Sequence, residues 1–405
     1  MFVILPDLLN PAHRQPFTVS AVWPLFLSYY ALGVLTILPR TFILRSSLLP
    51  FYPVASLEGF CNTMIPFGWH NSSDLETLNG SISASMFFMT MRSFEWTFIK
   101  KPLRKYEILK DQDTPVERPL TISNVLTDGF DLFWNQRGIG WSWSSKPFPG
   151  RDTPPLSIGS VLAKMLLKFT VLDASQYLIL CVCPSINNPG SGSLFNASLS
   201  LWRRVAAAAF CGVCGGLWVW AIADSSYHAG TLIGRILLCQ PASQWPPNSR
   251  QPWLSTSVRE FWSFRWHQAL RHFFISFGAR PCGKLLWRPG AIMGSFAVSA
   301  IFHHIALWGL DYGTEFSTAG GFFLLMGLGT IMEVEFTRVT GLRVQGLFGW
   351  LWTMLWTLFW GTFMIDEWAR RGMFSNDFFP EYLRLGKLLV DTVITLSSML
   401  TGPSN

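Results

Sequence analysis

Residues 289–312 read PGAIMGSFAVSAIFHHIALWGLDY, and the fold turns on this stretch. From Gly290 to Tyr312 the run is apolar and, at 1.5 Å per residue, long enough to cross the ~30 Å hydrocarbon core of a bilayer as a helix. In its body stand two adjacent histidines, His303 and His304. An ionisable residue at that depth costs a few kcal/mol on insertion scales, so the pair points to function; the plainer alternative is that both imidazoles hydrogen-bond to a neighbouring helix. On a helix Phe296, Ser299 and His303 fall at i, i+3 and i+7 and share a face, whereas His304 is turned about 100° away. A neutral imidazole can take a proton from an alcohol. Ser299, one turn earlier, is placed to orient it.

The composition extends this reading to the whole chain. Of 405 residues, 50% are hydrophobic and 14% charged, against about 25% charged in a soluble domain. With a mean hydropathy of +0.30, the chain is expected to be an all-α, polytopic membrane helix bundle. Twenty Trp and 34 Phe suit interfacial belts and bulky bundle packing. The formal charge of +7 does not indicate nucleic acid, because most Lys and Arg residues lie between apolar runs; anionic headgroups and an acidic cosubstrate are their expected partners. The seven Cys give neither a metal-site spacing nor a disulfide framework. Cys211-x-x-Cys214 sits among Ala and Gly and reads as small packing residues, with no metal expected.

Outward from the histidine helix, apolar runs recur at Val19–Leu38, Ser83–Phe98, Ser157–Cys183, Val205–Ala223, Gly320–Phe336 and Leu347–Ile365, with a short one at Leu388–Leu400. Val19–Leu38 reads as a retained span rather than a signal peptide. Phe42–Phe60, broken by Arg45, Pro50 and Pro53, leaves spanning, re-entry and the interface all open, and Ala229–Leu238 either extends its predecessor or re-enters. The total is about eight spans in one integral-membrane domain, 1–405. Two basic segments interrupt them. Residues 99–155 are too long for a connector and are expected to form a cap; residues 240–310 lead into and include the histidine helix and form the expected catalytic core. The positive-inside rule puts 99–155 and 240–289 in the cytosol. The three acceptor sequons, Asn71, Asn79 and Asn196, then fall on the lumenal side, where glycosylation occurs. Both cues agree on the endoplasmic reticulum or a related membrane.

Two further blocks carry chemistry. In Ser257–Gly278 the residues Trp262, Trp266, Leu270, Phe273 and Phe277 recur at three- and four-residue spacing, with Glu260, Ser263, His267 and Arg271 on the other side; the pattern predicts an amphipathic helix at the cytosolic interface. In Asn135–Trp143, NQRGIGWSW, two glycines permit a tight backbone, Arg137 offers a phosphate fork, and Trp141 and Trp143 offer stacking surfaces. A structural turn with an interfacial Trp explains this block nearly as well. Glu333, Glu335 and Arg338 suggest either an ordinary helix-end ion pair or a polar site in a proton-coupled transporter.

Three blocks together, Asn135–Trp143, Trp245-Pro-Pro with Ser257–Arg271 (SVREFWSFRWHQALR), and Phe296–His304 (FAVSAIFHH), resemble the wax synthase-like branch of the membrane-bound O-acyltransferases, in particular its fungal members from terpenoid and meroterpenoid pathways. The family's Ser-Gly-x-x-His pattern maps onto Ser299 to His303, with Ala300 in place of Gly, which makes His303 the implied general base. The polar position after an Arg-Trp pair falls on His267, behind Arg265 and Trp266, and implies a role in positioning the thioester. The resemblance implies direct acyl transfer from a coenzyme A thioester to a hydroxyl, with acetyl-CoA as cosubstrate, no bound cofactor and a hydroxylated terpenoid as acceptor. Arg137, Arg265 and Arg271 are the residues expected to receive the coenzyme A phosphates. The alternatives are a long-chain acyltransferase making wax or sterol esters and, in a different class, the transporter.

Overall fold

The computed structural model describes residues 15–16, 19–55, 63–64, 76–107, 115–144, 156–187, 192–309, 315–375 and 379–401. It is an all-α membrane protein whose only strands among the described residues are two-residue pairs: β1 (Gln15–Pro16) parallel to β2 (Thr63–Met64), and β3 (Tyr106–Glu107) antiparallel to β4 (Val116–Glu117). Two compact units divide the chain, the first drawn from residues 1–153, 269–281 and 301–314, the second from 154–268, 282–300 and 315–405.

In the first unit, α1 (Val19–Ile37) packs on α4 (Ile122–Trp134), α3 (Glu76–Phe98) and α2 (Phe42–Leu48). Gly33 and Gly129 let α1 and α4 touch: a Cβ on Gly33 would sit 3.2 Å from the Gly129 carbonyl oxygen. Arg45, which interrupts an apolar run in the sequence, is buried and donates to the carbonyls of Trp96 at 2.5 Å and Ile99 at 3.2 Å. It thereby satisfies the open carbonyls at the end of α3. In the expected cap, Lys105 lies 3.3 Å from both Asp128 and Asp131, Arg118 pairs with Asp128 and Glu107, and Arg104 with Glu117. Three of the basic residues assigned to external anions are thus committed to the cap's own acids. The cap's residues 108–114 and 145–155 lie outside the described residues.

The second unit is built on α5 (Ile158–Val182) paired with α6 (Leu201–Leu237); α9 (Gly346–Arg370) packs on α6, α10 (Leu385–Thr401) on α5, and α8 (Phe316–Thr340) on α9. Small residues set the α6–α9 distance. A Cβ on Gly212 would overlap Thr362, and one on Gly215 would come within 2.6 Å of Ile365; Cys211 and Cys214 are buried on either side of Gly212. The apolar run 229–238 continues α6 rather than re-entering, ending in a π turn, Ile233–Leu237. Asp391, an odd residue in a short apolar run, accepts from the Tyr177 hydroxyl of α5 at 2.6 Å.

Helix α7 (Arg271–Trp308) contributes residues to both units. It is broken at Leu286 (φ −125°, ψ 23°) and Trp287 (φ 51°, ψ −143°), directly before Pro289. Proline has no N–H to continue the ladder and restricts the residue before it, so the histidine-bearing helix begins where the sequence places it. Among the described residues five helices, α5 to α9, are long and apolar enough to cross a membrane; Trp23–Ile37 and Phe42–Ala55 are shorter apolar helices. The expected count of eight is not reached on this measure. Helix α3 has the length, but Arg92 and Glu95 interrupt its apolar character.

Candidate active site

His303 and Ser299 are four residues apart on an uninterrupted stretch of α7, so they share one helical face as the spacing predicts, with His304 off that face. Within the first unit His303 follows Phe302, whose ring belongs to an aromatic cluster. The His303 ring lies 5.3 Å from that of Phe302, and Phe302 packs against Phe273 at 5.9 Å, Phe274 at 6.1 Å and Phe87 at 6.4 Å. The imidazole is half-buried, and Ser299 is buried. A base in such a setting works on an apolar acceptor with little competing water.

The same unit holds a polar cluster that sequence reasoning missed. Glu95 of α3 accepts from His272 Nε2 at 3.0 Å and from the Ser276 hydroxyl at 2.8 Å, and Ser276 Oγ lies 3.1 Å from the same Nε2. Two of the contacts meet at the one imidazole nitrogen Nε2 and the third joins Ser276 to Glu95, so the group is a closed triangle. A serine nucleophile activated through a histidine relay needs the acid and the serine on opposite ring nitrogens. One turn away, Arg92 is fully buried with its guanidinium carbon 4.1 Å from the Trp143 ring, 5.1 Å from Trp96 and 5.7 Å from Phe88. Arg92 and Glu95 were visible as charges in an apolar run, but Trp143, His272 and Ser276, which meet them, lie far off in the chain. No local pattern announces them.

The block 135–143 folds as the tight turn that its glycines allow, Gly138 at φ +69° and Gly140 at φ +80°. A Cβ on Gly138 would meet the Trp143 indole at 2.7 Å. Asn135 ties the turn through both ends of its amide to Ile139, and the turn is stitched to β3 by Tyr106 N–H donating to Gly140 O at 2.7 Å. Trp141 is completely buried, its indole N–H donating to Asp131 at 2.7 Å. Arg137 is half-buried on this turn, and Arg271 is half-buried at the start of α7.

In the second unit the predicted amphipathic helix is not continuous. A turn, Val258–Glu260, passes into a π segment, Phe261–Arg265; the backbone is then extended at Trp266 (φ −71°, ψ 167°), and helix resumes at Arg271. Trp266 stacks on Phe261 at 5.3 Å, and His267 follows it with its ring 5.6 Å from Trp266. Arg265 donates to Glu260 at 2.7 Å and to the Arg250 carbonyl at 3.1 Å. Burial raises the Glu260 carboxyl, but hydrogen bonds from Thr256 and Arg265 outweigh it and hold it below the usual range. The turn itself hangs from α8: Glu333 accepts from Val258 N–H at 2.6 Å, Arg259 N–H at 2.9 Å and the Trp352 indole at 2.9 Å. Arg338 and Glu335 form the exposed helix-end pair expected of them, at 2.7 Å. Glu333 is separate from that pair. Of the sequons, Asn71 lies outside the described residues, Asn79 is in the first turn of α3, and Asn196 is exposed in a turn with Ser198.

Residues 245–325, which contain His267, Ser299 and His303, match the model of the membrane bound O-acyl transferase family. Among characterised proteins, the chain is 25% identical over 288 residues to the O-Mevalon transferase macI of Penicillium terrestre, covering 64% of each chain. It is 23% identical over 314 residues to the O-Mevalon transferase yanI of Aspergillus niger, covering 72% of this chain and 66% of that one. It is 24% identical over 246 residues to the acetyltransferase ple2 of Rhodocybe pseudopiperita, covering 56% and 60%. The chain thus spans just under two thirds of the length of these relatives. Over residues 245–325, which contain two of the three sequence blocks, the chain is similar to the membrane bound O-acyl transferase family, and over a longer stretch to fungal transferases.

Proposed function

We propose that this protein is a membrane-bound O-acyltransferase and transfers an acetyl group from acetyl-CoA to a hydroxyl of a terpenoid or meroterpenoid intermediate. The observation that carries the reading is the position of His303, inside the family-matched segment, on unbroken helix with Ser299 one turn earlier and the Phe302 ring beside it. In the proposed reaction the His303 imidazole removes the acceptor's hydroxyl proton as that oxygen bonds to the thioester carbonyl carbon. The carbon–sulfur bond then breaks, the thiolate takes the proton back from His303, and ester and coenzyme A leave with no acyl-enzyme formed. General-base help of this kind supplies about 10²–10⁴ in rate. The remainder comes from holding donor and acceptor together.

His267 is the proposed positioning residue for the thioester. Arg137 and Arg271 are the better-placed candidates for coenzyme A phosphates, since Arg265 already serves Glu260 and the Arg250 carbonyl. The donor enters from the cytosolic side, in line with the basic segments, and the apolar acceptor from the bilayer. The membrane is that of the endoplasmic reticulum, with Asn196 a lumenal glycosylation acceptor.

The test is acetyl transfer by microsomes expressing the wild type or His303→Ala, with acetyl-CoA, longer acyl-CoAs and a panel of hydroxylated terpenoids, read by the mass gain of the product. Loss of acetylation at equal protein level supports both reaction and base. Transfer that survives the substitution sinks the assignment of His303, and transfer of long chains only would replace acetyl by a fatty acyl group.

A further inference from the structure

The second unit contains a cavity of about 60 Å³ enclosed by α5, α6 and the loop 242–249. Four charged side chains line it, Lys164 and Lys168 from α5 and Asp224 and Arg235 from α6, together with His228 and Asn248. Lys168 and Asp224 are buried and pair at 2.5 Å, and the Ser249 hydroxyl donates to the other Asp224 oxygen at 3.0 Å. The one carboxylate is therefore already neutralised by Lys168 and satisfied by Ser249. Two cations remain over. Lys164 is exposed and forms no ion pair among the described residues. Arg235 donates through Nη1 to the Leu156 carbonyl, and the rest of its fork is open among the described residues. His228 Nδ1 is held 2.5 Å from the Asp224 carbonyl oxygen, so its proton lies there and Nε2 is left to exchange a proton with an occupant.

Size and charge together select the occupant. At about 10–15 Å³ per water on this measure of volume, the cavity holds roughly four or five waters. A space of that size suits one tetrahedral oxyanion. The charge sum is three cations against one carboxylate, the open Arg fork matches two oxygens of such an anion, and the first turn of α5, a 25-residue helix, reaches the cavity wall at Val161 and adds positive potential.

We propose that this cavity binds a single phosphate group, held by Lys164 and Arg235 above the Lys168–Asp224 pair. The site itself stands independently of the acyl-transfer reading; only the attribution of the phosphate to coenzyme A rests on it. A phospholipid headgroup and free inorganic phosphate present the same chemistry. The experiment measures binding to the purified full chain, wild type, Lys164→Ala and Arg235→Gln, with Arg338→Ala as a control for a remote exposed cation. The probes are coenzyme A and adenosine 3′,5′-bisphosphate in detergent, inorganic phosphate in detergent, and nanodiscs with or without phosphatidic acid read by thermal stabilisation.

The expected result is that at least one probe binds the wild type, that its Kd rises about tenfold with each cavity substitution, that raising the salt weakens it, and that Arg338→Ala leaves it unchanged. Binding of coenzyme A and the bisphosphate identifies the cosubstrate, stabilisation by phosphatidic acid alone a lipid, and inorganic phosphate alone a free ion. Failure of every probe to bind, or binding that both cavity substitutions leave intact, overturns the site. Because the readout is binding, a negative acetylation assay does not bear on it, nor does a vacant cavity bear on His303.

Discussion

Replacing Glu333 by glutamine tests whether the segment carrying His267 is held from α8. Glu333 meets three donors with two oxygens: Val258 N–H and the Trp352 indole on Oε1, Arg259 N–H on Oε2. Glutamine keeps the shape and one acceptor oxygen. Whichever way its amide turns, the NH₂ faces an N–H, so at least one hydrogen bond to a charged acceptor is lost, worth about 1.5–3 kcal/mol, and a buried donor is left unpaired at about 1–3 kcal/mol. These overlap, and a total of about 2–4 kcal/mol is expected. Thermal unfolding in detergent should register a fall in Tm of at least about 4 °C, at roughly 2–4 °C per kcal/mol. Acetyl transfer below the new Tm should fall about tenfold or more, because a displacement on the order of 1 Å at a positioning residue is costly. Glu335→Gln, which breaks only the exposed pair with Arg338, should change stability by less than about 0.5 kcal/mol. The reasoning is refuted if Glu333→Gln is as mild as Glu335→Gln. The contrast also bears on telling a transporter from an acyltransferase. Loss of Glu333 harms either kind of protein, and only Glu335 separates them.

Three further outcomes follow from the packing. The folded-state pKa of Glu260 is depressed, so its contribution to stability is present above the ordinary carboxylate pKa of about 4.3 and is lost as pH falls through the lower folded value; the Tm gap between wild type and Glu260→Gln should close between neutral pH and strong acid, and a gap that widens on acidification contradicts this sign. Gly212→Ala forces a methyl onto Thr362 and should cost about 1–3 kcal/mol, whereas Gly216→Ala, which meets nothing within 4 Å, should be neutral or slightly stabilising in thermal unfolding. Lys168→Met strands the buried Asp224 carboxylate at a cost of about 3–5 kcal/mol, and adding Asp224→Asn should restore most of the lost Tm; a double variant no better than the single one would mean that the pair is not the unit of stability.

The sequence made legible whatever repeats at short range. The start of the histidine helix at Pro289, the tight turn at Gly138 and Gly140, and the Glu335–Arg338 pair are all local, and the structure has them. The predicted helix over 257–278 failed for a physical reason. Apolar periodicity reports burial, not backbone continuity, and the stripe is divided: Trp262 and Trp266 pack with Phe261, and Trp262 with Phe296 and Phe322, in one unit, while Phe273 packs with Phe277, Phe302 and Phe87 in the other. A chain that serves two units can break between them at Trp266 and keep its spacing. The Glu95–His272 contact joins residues 177 apart, and Glu333–Val258 joins residues 75 apart. Neither distance leaves a mark in a one-dimensional pattern.

The buried acids of the helices share a task that bears on the transporter alternative. Asp173 on α5 accepts Lys387 N–H at 2.9 Å and Arg384 at 3.0 Å, and so caps the start of α10. Asp366 on α9 accepts Leu194 N–H at 2.7 Å and the Ser193 hydroxyl at 2.8 Å, fixing the turn before α6. Glu333 does the same for Val258 and Arg259, and Asp224 holds Ser249 of the cavity loop. A carboxylate that relays protons must release its partners in each cycle, whereas one that satisfies backbone N–H groups leaves them buried and unpaired when it does so. Intramembrane acids ordinarily suggest a path for ions. Asp173, Asp366 and Glu333 are each tied to a backbone N–H that needs an acceptor, which counts against a proton relay through these three.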